Sequence, residues 1–512
     1  MQMHLFRRSC QAAFLLLVTA LPVVLCSQQQ AAHTDSAVKV LPIDPANRTV
    51  LMSGDANLKG GLKEQWPGQA ARFWVSNWTT SGDSFTWTVK VPQAGKYSVA
   101  LLILNCGKIL INCALPSPPA VKVEVAGKSN KITETVTYRK ASMTNEWVRD
   151  ELPGTLQLPA GESKITLHAL ANPGEKFNLA LFSLELVKPK IKKQMDERAA
   201  KVRSSTTWMT DAKYGLMFTW TSTTQPRTGV QKSYEQAVND FDVNAFADMV
   251  QGTGAGFIVF ATSWSTYYFP APIQTIEHLM PGHTTKRDLI RELADALNAR
   301  GIKLMIYYHA GRPQPDWWSG TVAQTMDRAD YFNEWESTIR EIGLRYGDKL
   351  AGFWFDDGTT FYYTLQAPWE AMTAAVKAGF PARVVGYNSW ILPKATDFQD
   401  FACGEGGFVD RLTEDPELPA GGSGIFLSGP QKGLQATLTT TMEPGNWGHV
   451  TPNTPVPAPQ YNADQMIGYL QTAIARKLVP TINLEVYQDG SASPATIEEF
   501  KAIKAAIKPS GK

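Results

Sequence analysis

The sequence predicts an α/β protein in which a (β/α)8 TIM barrel follows an N-terminal antiparallel β-sandwich. Residues 34–187 contain short alternating apolar runs separated by Gly, Pro and Asn, a pattern typical of a sandwich. From Lys213 onward, longer apolar runs alternate with amphipathic helical segments, which is typical of a parallel barrel. The 512 residues also exceed what one hydrophobic core usually organises, so two domains are expected.

Residues 1–26 predict an export signal. A basic pair precedes an apolar run over residues 12–25, which is too short to span a membrane. Cleavage near Cys26 predicts a secreted or periplasmic protein without a transmembrane segment, and lipid attachment at Cys26 is a less favoured alternative. In an oxidising compartment, Cys106 and Cys113 are close enough in sequence to form a small disulfide.

The sandwich prediction begins with strands at residues 83–90 and 96–104, joined by a Pro-Gln-Ala-Gly turn. Further strands are predicted at residues 121–125, 155–158 and 163–170. The stretch from Asp83 to Tyr97 resembles the carbohydrate-binding sandwich modules of secreted glycosidases. A structural spacer is the alternative, because Trp87 lies in an alternating strand and fits a core position. Residues 188–207 then predict a linker with a charged surface helix.

The predicted barrel domain, residues 208–508, contains eight candidate strands, the number that closes a TIM barrel. They cover residues 213–220, 257–264, 303–309, 352–356, 383–388, 400–405, 436–441 and 480–486. Amphipathic helices are predicted between them at residues 286–298, 330–345, 368–378 and 462–476. In such a barrel the reacting groups lie at the carboxyl ends of the strands.

Two of these strand ends carry acids that are candidates for catalysis. The fourth strand ends in Asp356 and Asp357, and carboxylates at the end of a buried strand cost stability unless they have a function. Consecutive strand residues face opposite ways, so Asp356 is assigned to the mouth and Asp357 to loop support or helix capping. The alternative is that one of the two acids caps the next helix and the other is solvated. The sixth strand ends in Glu405.

Aromatic and polar residues near the same strand ends predict a sugar pocket, because aromatic rings stack on the C–H faces of sugars. The predicted substrate-binding residues are Trp220, Trp264, Tyr308, His309, Trp318, Trp354 and Asn388. Each has a structural alternative: loop packing for an aromatic ring, a buried imidazole for His309 and a turn for Asn388. No metal or other cofactor is expected, because no two His stand at ligand spacing. The net charge of +2 gives no reason to expect a nucleic-acid partner.

Several ordered motifs resemble glycoside hydrolase family 29, the α-L-fucosidases, over residues 208–507. Residues 208–218 resemble the barrel entry of that family, and Trp354-Phe355-Asp356 falls on its nucleophile motif. Other matching segments lie at residues 286–289, 300–304, 397–398, 404–405, 446–449, 482–483 and 489–490. The resemblance implies a retaining mechanism with Asp356 as nucleophile and Glu405 as acid/base, Glu443 being the alternative acid/base. Retention requires the two carboxyl groups to lie about 5 to 5.5 Å apart.

The chain departs from the family at two strand ends. The family has His-Trp-Gly after strand one and Lys-His-His after strand two, and these histidines hold fucose hydroxyls. Here the positions read Thr219-Trp220-Thr221 and Ser263-Trp264-Ser265. We therefore expect a secreted exo-glycosidase for an oligosaccharide or glycoconjugate, resembling α-L-fucosidase in scaffold and acting on fucose or another sugar. The alternative is a non-catalytic glycan-binding protein on the same barrel, and the sequence gives no oligomeric state.

Overall fold

The computed structural model describes residues 39–507 except residues 66–73, 106–117, 139–146, 173, 264–266, 310–327, 357, 390–391, 404–417, 419–420 and 446. The predicted export signal and the cysteines Cys26, Cys106 and Cys113 lie outside the described residues, as do Trp264, Trp318, Asp357 and Glu405. Among the helices that are described, none has the length and apolar character needed to cross a membrane.

The described residues between 40 and 187 form two packed sheets, which confirms the predicted β-sandwich. The strands are β1 (Val40–Pro42), β2 (Thr49–Met52), β3 (Asn57–Lys59), β4 (Lys63–Glu64), β5 (Val75–Trp78), β6 (Ser84–Val91), β7 (Gly95–Asn105), β8 (Val121–Ala126), β9 (Lys131–Val136), β10 (Val148–Glu151), β11 (Leu156–Leu158), β12 (Gly161–Ala169) and β13 (Leu179–Val187). One sheet has the order β1-β6-β12-β8-β9, with β3 also paired to β6. The other has the order β10-β7-β13-β5-β4, with β11 on β7 and β2 on β13. Among the described strands of the sandwich, only the β1–β6 pair is parallel.

The sandwich core follows from alternation along the strands. On β6, Phe85, Trp87 and Val89 point into the core and are fully buried. The Trp87 indole N–H donates a hydrogen bond to the Met52 carbonyl at 2.8 Å, so its polar atom is satisfied as well. Trp87 is therefore a core residue, and its ring presents no face to a sugar.

Eight parallel strands in the described part of residues 208–508 confirm the predicted barrel. They are β14 (Gly215–Thr219), β15 (Phe257–Ser263), β16 (Lys303–Tyr308), β17 (Leu350–Phe355), β18 (Val384–Tyr387), β19 (Phe401–Ala402), β20 (Gln435–Thr441) and β21 (Val479–Leu484). Their order is β18-β17-β16-β15-β14-β21-β20-β19, and each overlaps one predicted strand. The sheet closes between β18 and β19 through a bridge from Asn388 to Cys403 and a hydrogen bond from the Asp400 N–H to the Val385 carbonyl at 2.8 Å.

Helices cover the outside of the barrel. In the described residues they are α1 (Pro189–Val202), α2 (Thr207–Asp211), α3 (Tyr234–Asp240), α4 (Val243–Thr253), α5 (Gln274–Leu279), α6 (Leu289–Ala299), α7 (Arg328–Tyr346), α8 (Trp369–Val376), α9 (Ala463–Ala475) and α10 (Pro494–Ile507), with short 3-10 turns at Ser53–Asp55 and Gly347–Lys349. Helix α6 begins three residues later than predicted, because the Asp288 side chain accepts a hydrogen bond from the Arg291 N–H and acts as the N-cap.

The sandwich packs directly on the barrel. All nine residues of β13 are buried, since one face of this strand lies in the sandwich core and the other faces the barrel. The Phe182 ring on the barrel side lies 5.9 Å from the ring of Tyr363, which belongs to the segment after β17. Helix α1, predicted as a charged linker helix, packs Met195 and Ala199 against both parts.

Candidate active site

The alternation of the barrel strands determines which side chains face the interior. Trp354 on β17 and Tyr307 on β16 belong to the apolar cluster inside the barrel. Phe353 and Phe355 belong to the cluster between the strands and the helices. Asp356 directly follows Phe355, and alternation therefore directs its carboxylate into the interior at the carboxyl end of β17. This placement agrees with the direction expected from the sequence.

Both carboxylate oxygens of Asp356 accept hydrogen bonds from neighbouring strands. The Tyr307 hydroxyl donates to Oδ2 at 2.5 Å, and the Asn388 amide Nδ2 donates to Oδ1 at 2.8 Å. The backbone extends the sheet at the same level, since the Asp356 N–H donates to the Tyr308 carbonyl at 3.1 Å and the Asn388 N–H to the Phe355 carbonyl at 2.7 Å. Asp356 is only half-buried, whereas its two donors are buried. The result is a rigidly oriented carboxylate that remains accessible.

An aromatic wall lies beside this carboxylate. The rings of Tyr307 and Trp354 stack with centroids 5.1 Å apart and planes 16° from parallel. The pairing register places the two residues opposite each other on β16 and β17, so the stack follows from the sheet itself. His309, two residues after Tyr307, is fully buried, and its ring lies 6.3 Å from the ring of Tyr267. Of the predicted site residues, Asp356, Trp354 and Asn388 therefore lie together at the carboxyl ends of β17 and β18.

Two predicted substrate-binding residues lie elsewhere. The Trp220 indole is fully buried between the strands and the helices, 5.2 Å from the Phe241 ring, and its N–H donates to the Gln488 carbonyl at 2.9 Å. Tyr308 is fully buried in the same helix-facing core. Both residues follow an inward-facing residue on their strand, so alternation turns them away from the mouth. We do not retain either residue in the candidate site.

Tyr307 was not among the predicted site residues, and the structure adds it to the candidate site beside Asp356. The signal was present in the sequence: once Asp356 is assigned to the interior, the same alternation selects Tyr307 over Tyr308 on the neighbouring strand. Glu405, Trp264 and Trp318 lie outside the described residues.

Across the barrel, two further acids follow β20 and β21. Glu443 is fully buried; its Oε2 accepts a hydrogen bond from the Glu485 N–H at 3.1 Å, and its Oε1 accepts one from the Thr496 hydroxyl on α10. Burial raises the pKa of Glu443 to about 7. Burial, followed by the nearby charge of Glu443, also raises the pKa of Glu485 to about 7. Glu485 Oε2 lies 3.5 Å from His449 Nδ1.

These contacts separate the roles of the two acids. Glu443, the alternative acid/base, uses both carboxylate oxygens to hold the turn after β21 against α10. Glu485, which the sequence did not single out, lies on the inward face. In the part of the chain that the structure describes, no group of three or more His, Cys, Asp or Glu side chains is placed to hold a metal ion.

Comparison with known proteins agrees with this architecture. The family model for α-L-fucosidase matches residues 190–508. A search of curated proteins finds no match. Among solved structures, an α-L-fucosidase from Lactobacillus casei in complex with α-L-fucose is 17% identical, with 58% of this chain and 96% of that chain covered and a TM-score of 0.42. A family 29 α-L-fucosidase from Bacteroides thetaiotaomicron is also 17% identical, with 59% and 73% covered and a TM-score of 0.42.

The family match spans more than half of the chain and includes every barrel strand from β14 to β21 together with Asp356. The observed fold agrees with that match along the same residues. The protein belongs to the α-L-fucosidase family of glycoside hydrolases, family 29.

Proposed function

We propose that the protein is an exported, retaining exo-glycosidase in which Asp356 attacks the anomeric carbon of a terminal sugar. The observation that carries this proposal is the geometry of Asp356. Its carboxylate is half-buried at the carboxyl end of β17, and one donor holds each oxygen. A carboxylate fixed in this way loses little conformational freedom when it approaches a bound sugar. Membership of the α-L-fucosidase family supports the same assignment.

In the proposed reaction, a carboxylate oxygen of Asp356 forms a bond to C1 as the bond from C1 to the leaving oxygen breaks. An acid, for which Glu405 is the proposed residue, gives its proton to the leaving oxygen. The same residue then removes a proton from the water that attacks C1, and this releases Asp356 as a carboxylate. The hydrogen bonds from Tyr307 and Asn388 stabilise the charge that returns to Asp356 in this second step.

The substrate is proposed to be a terminal sugar on an oligosaccharide or glycoconjugate. The stacked Trp354 and Tyr307 rings are buried beside the carboxylate, and in the proposed complex the C–H face of the sugar ring packs against their edges. The family model that matches residues 190–508 is that of α-L-fucosidase. L-Fucose is therefore the first sugar to test, although Thr219 and Ser263 stand where the family resemblance places histidine segments.

This replacement is the specific observation that favours a second function, a non-catalytic glycan-binding protein. A site that recognises hydroxyls through hydrogen bonds loses much of its selectivity when the donors and acceptors are removed. The presence of the oriented Asp356 carboxylate favours the enzyme, because binding alone requires no nucleophile.

The two functions are separated by hydrolysis of a panel of 4-nitrophenyl glycosides, including the α-L-fucoside, by wild type and Asp356→Asn. We expect wild type to release the nitrophenol and the variant to lose about four orders of magnitude in turnover. Asp295→Asn is the control, since Asp295 is an exposed acid on α6 that pairs with Lys349. Peptide mass spectrometry after incubation with a 2-fluoro glycoside tests retention. An increase equal to the mass of the sugar on the peptide that carries Asp356 would support a retaining mechanism.

Two outcomes would count against the proposal. Equal turnover by wild type and Asp356→Asn would exclude Asp356 as the nucleophile. Glycan binding without hydrolysis across the panel would favour the binding protein. The proposed export is tested separately, by the intact mass of the mature protein, which should correspond to cleavage near Cys26.

A further inference from the structure

A second group of polar side chains lies on the opposite side of the barrel from Asp356. In the closed eight-stranded sheet, β21 is four strands away from β17 in either direction. Val479 on β21 belongs to the interior cluster, whereas Ile482 and Leu484 face the helices. Alternation therefore directs Asn483 and Glu485 toward the interior, at the end of the strand where Asp356 also lies.

The loop after β20 adds His449 to this group. Gly448 lies so close to the end of β14 that a Cβ on it would approach Thr219 Cγ2 to 2.9 Å, which is too close for a side chain. The His449 carbonyl next to it accepts a hydrogen bond from the Gln225 N–H at 2.8 Å. These contacts fix His449 over the ends of β14 and β21.

Three polar atoms of this group are buried and have no hydrogen-bond partner in the part of the chain that the structure describes. They are Glu485 Oε1, His449 Nε2 and Asn483 Oδ1, on side chains that are 2%, 3% and 0% exposed. Buried polar atoms are nearly always hydrogen-bonded, because leaving them unpaired costs stability. Three such atoms within one group indicate that a bound molecule supplies the missing partners.

The remaining polar atoms of the same side chains hold this arrangement in place. Asn483 Nδ2 donates to the Trp447 carbonyl at 2.8 Å, and Glu443 Oε2 accepts from the Glu485 N–H at 3.1 Å. Trp447 is partly exposed and packs against the interior cluster to which Trp354 belongs. Asn483, one of the residues with an unpaired atom, is therefore bonded to the backbone of a residue whose side chain is partly exposed.

We propose that Glu485, His449 and Asn483 bind hydroxyl groups of the terminal sugar and determine which sugar the enzyme accepts. The inference rests on the proposed glycosidase function. The chemistry of the three atoms suits a neutral polyol, since the carboxylate and amide oxygens accept hydrogen bonds from hydroxyls and the imidazole nitrogen donates or accepts a hydrogen bond. A metal ion suits them less well, because the described residues include no group of three or more metal-ligating side chains.

The test uses Glu485→Gln, which keeps the shape of the side chain and removes its charge. Free L-fucose and other monosaccharides are titrated by calorimetry into Asp356→Asn and into Asp356→Asn combined with Glu485→Gln. We expect the second substitution to weaken binding of the preferred sugar by about ten- to a hundredfold. In the background with Asp356 intact, Glu485→Gln should raise KM for the preferred glycoside more than it lowers kcat. It should also change the ratio of kcat/KM between two sugars by about tenfold or more.

Glu124→Gln is the matched control, because Glu124 is a buried glutamate of the sandwich that pairs with Lys131. It should leave affinity and sugar preference unchanged. If Glu485→Gln fails to fold by circular dichroism, His449→Gln takes its place with the same expected loss. Affinity and preference that stay within twofold of the parent would overturn the inference and leave the proposed function intact. Absence of both hydrolysis and sugar binding in the parent proteins would overturn both.

Discussion

The Tyr363 hydroxyl donates a hydrogen bond to Glu185 Oε1 at 2.8 Å and thereby joins the barrel to the sandwich. Tyr363 ends a π-helical turn, Gly358–Tyr363, and Glu185 lies on β13. Both side chains are buried. Because this turn begins two residues after Asp356, the sandwich helps to fix the backbone that carries the proposed nucleophile.

Glu185 is also the centre of a buried ion-pair network. Its Oε2 accepts hydrogen bonds from Arg149 Nη2 at 2.6 Å and Nε at 3.1 Å, and it lies 3.4 Å from Arg48 Nε. Arg48 Nη2 reaches Asp397 Oδ2 on the barrel at 3.1 Å. Burial alone would raise the pKa of Glu185, but Arg149 and Arg48 outweigh it and hold the pKa at about 2. Glu185 therefore stays charged at neutral pH.

Tyr363→Phe tests the contribution of the hydroxyl. We expect the free energy of unfolding to fall by about 1.5 to 3 kcal/mol, because the variant removes a hydrogen bond to a buried charged group. We also expect kcat to fall several-fold with little change in KM, because the turn after Asp356 loses its attachment. Urea unfolding and steady-state kinetics measure the two effects, with Tyr138→Phe at an exposed tyrosine as control. An unfolding curve identical to that of wild type would contradict the prediction.

Glu185→Ala tests the network as a whole. The substitution leaves Arg149 and Arg48 buried without their main partner, and we expect the free energy of unfolding to fall by about 3 to 5 kcal/mol. Adding Arg149→Met should restore part of that loss, since the second substitution removes an unpaired buried charge. Urea unfolding of the two single variants and the double variant closes this cycle. Strictly additive losses would show that the two residues do not interact energetically.

The fold could be predicted from the sequence because its signals are local. Most barrel strands are apolar runs followed by a helix in the described residues, and such a unit is visible without knowledge of the others. The inward direction of Asp356 was also predictable from alternation. The prediction for Trp220 and Tyr308 was wrong because proximity to a strand end does not determine which way a side chain points, and both face the helices.

The remaining features depend on long-range packing. Glu485 faces Asp356 across the barrel only because the eight strands close into a ring, and its unpaired oxygen appears only when the neighbouring side chains are in place. The bond between Tyr363 and Glu185 depends on how the sandwich packs against the barrel. No local pattern in either segment encodes that contact.

Tyr307→Phe tests the orientation of the proposed nucleophile. The variant keeps the stacked ring beside Trp354 and removes the hydrogen bond to Asp356 Oδ2. We expect kcat to fall by about ten- to a hundredfold with little change in KM, because the hydrogen bond acts on the reacting carboxylate. Tyr308→Phe is a matched control on the same strand, since its ring faces the helices and its kcat should stay within about twofold of wild type. Equal losses in the two variants would contradict a specific role for Tyr307.

Glu443→Gln tests the pH dependence of stability. Burial raises the pKa of Glu443 from 4.5 to about 7, so between these pH values the folded protein holds a proton that the unfolded chain has lost. The contribution of this group is therefore favourable at low pH and is lost as the pH rises toward 7. Between pH 5 and pH 8 we expect the free energy of unfolding of wild type to fall by about 2 to 3 kcal/mol more than that of Glu443→Gln.

The comparison of the two proteins isolates Glu443 from its neighbours. The raised pKa of Glu485 also makes the free energy of unfolding fall as the pH rises. The lowered pKa of His449, which burial causes, makes the free energy of unfolding rise with pH. Both residues are present in wild type and in Glu443→Gln, so much of their contribution cancels in the difference. Removing the charge of Glu443 also relieves the repulsion that raises the pKa of Glu485, which enlarges the difference. Urea unfolding of both proteins at pH 5 and pH 8 measures the difference in their unfolding free energies. If that difference is the same at both pH values, the assignment of a buried, protonated Glu443 is contradicted.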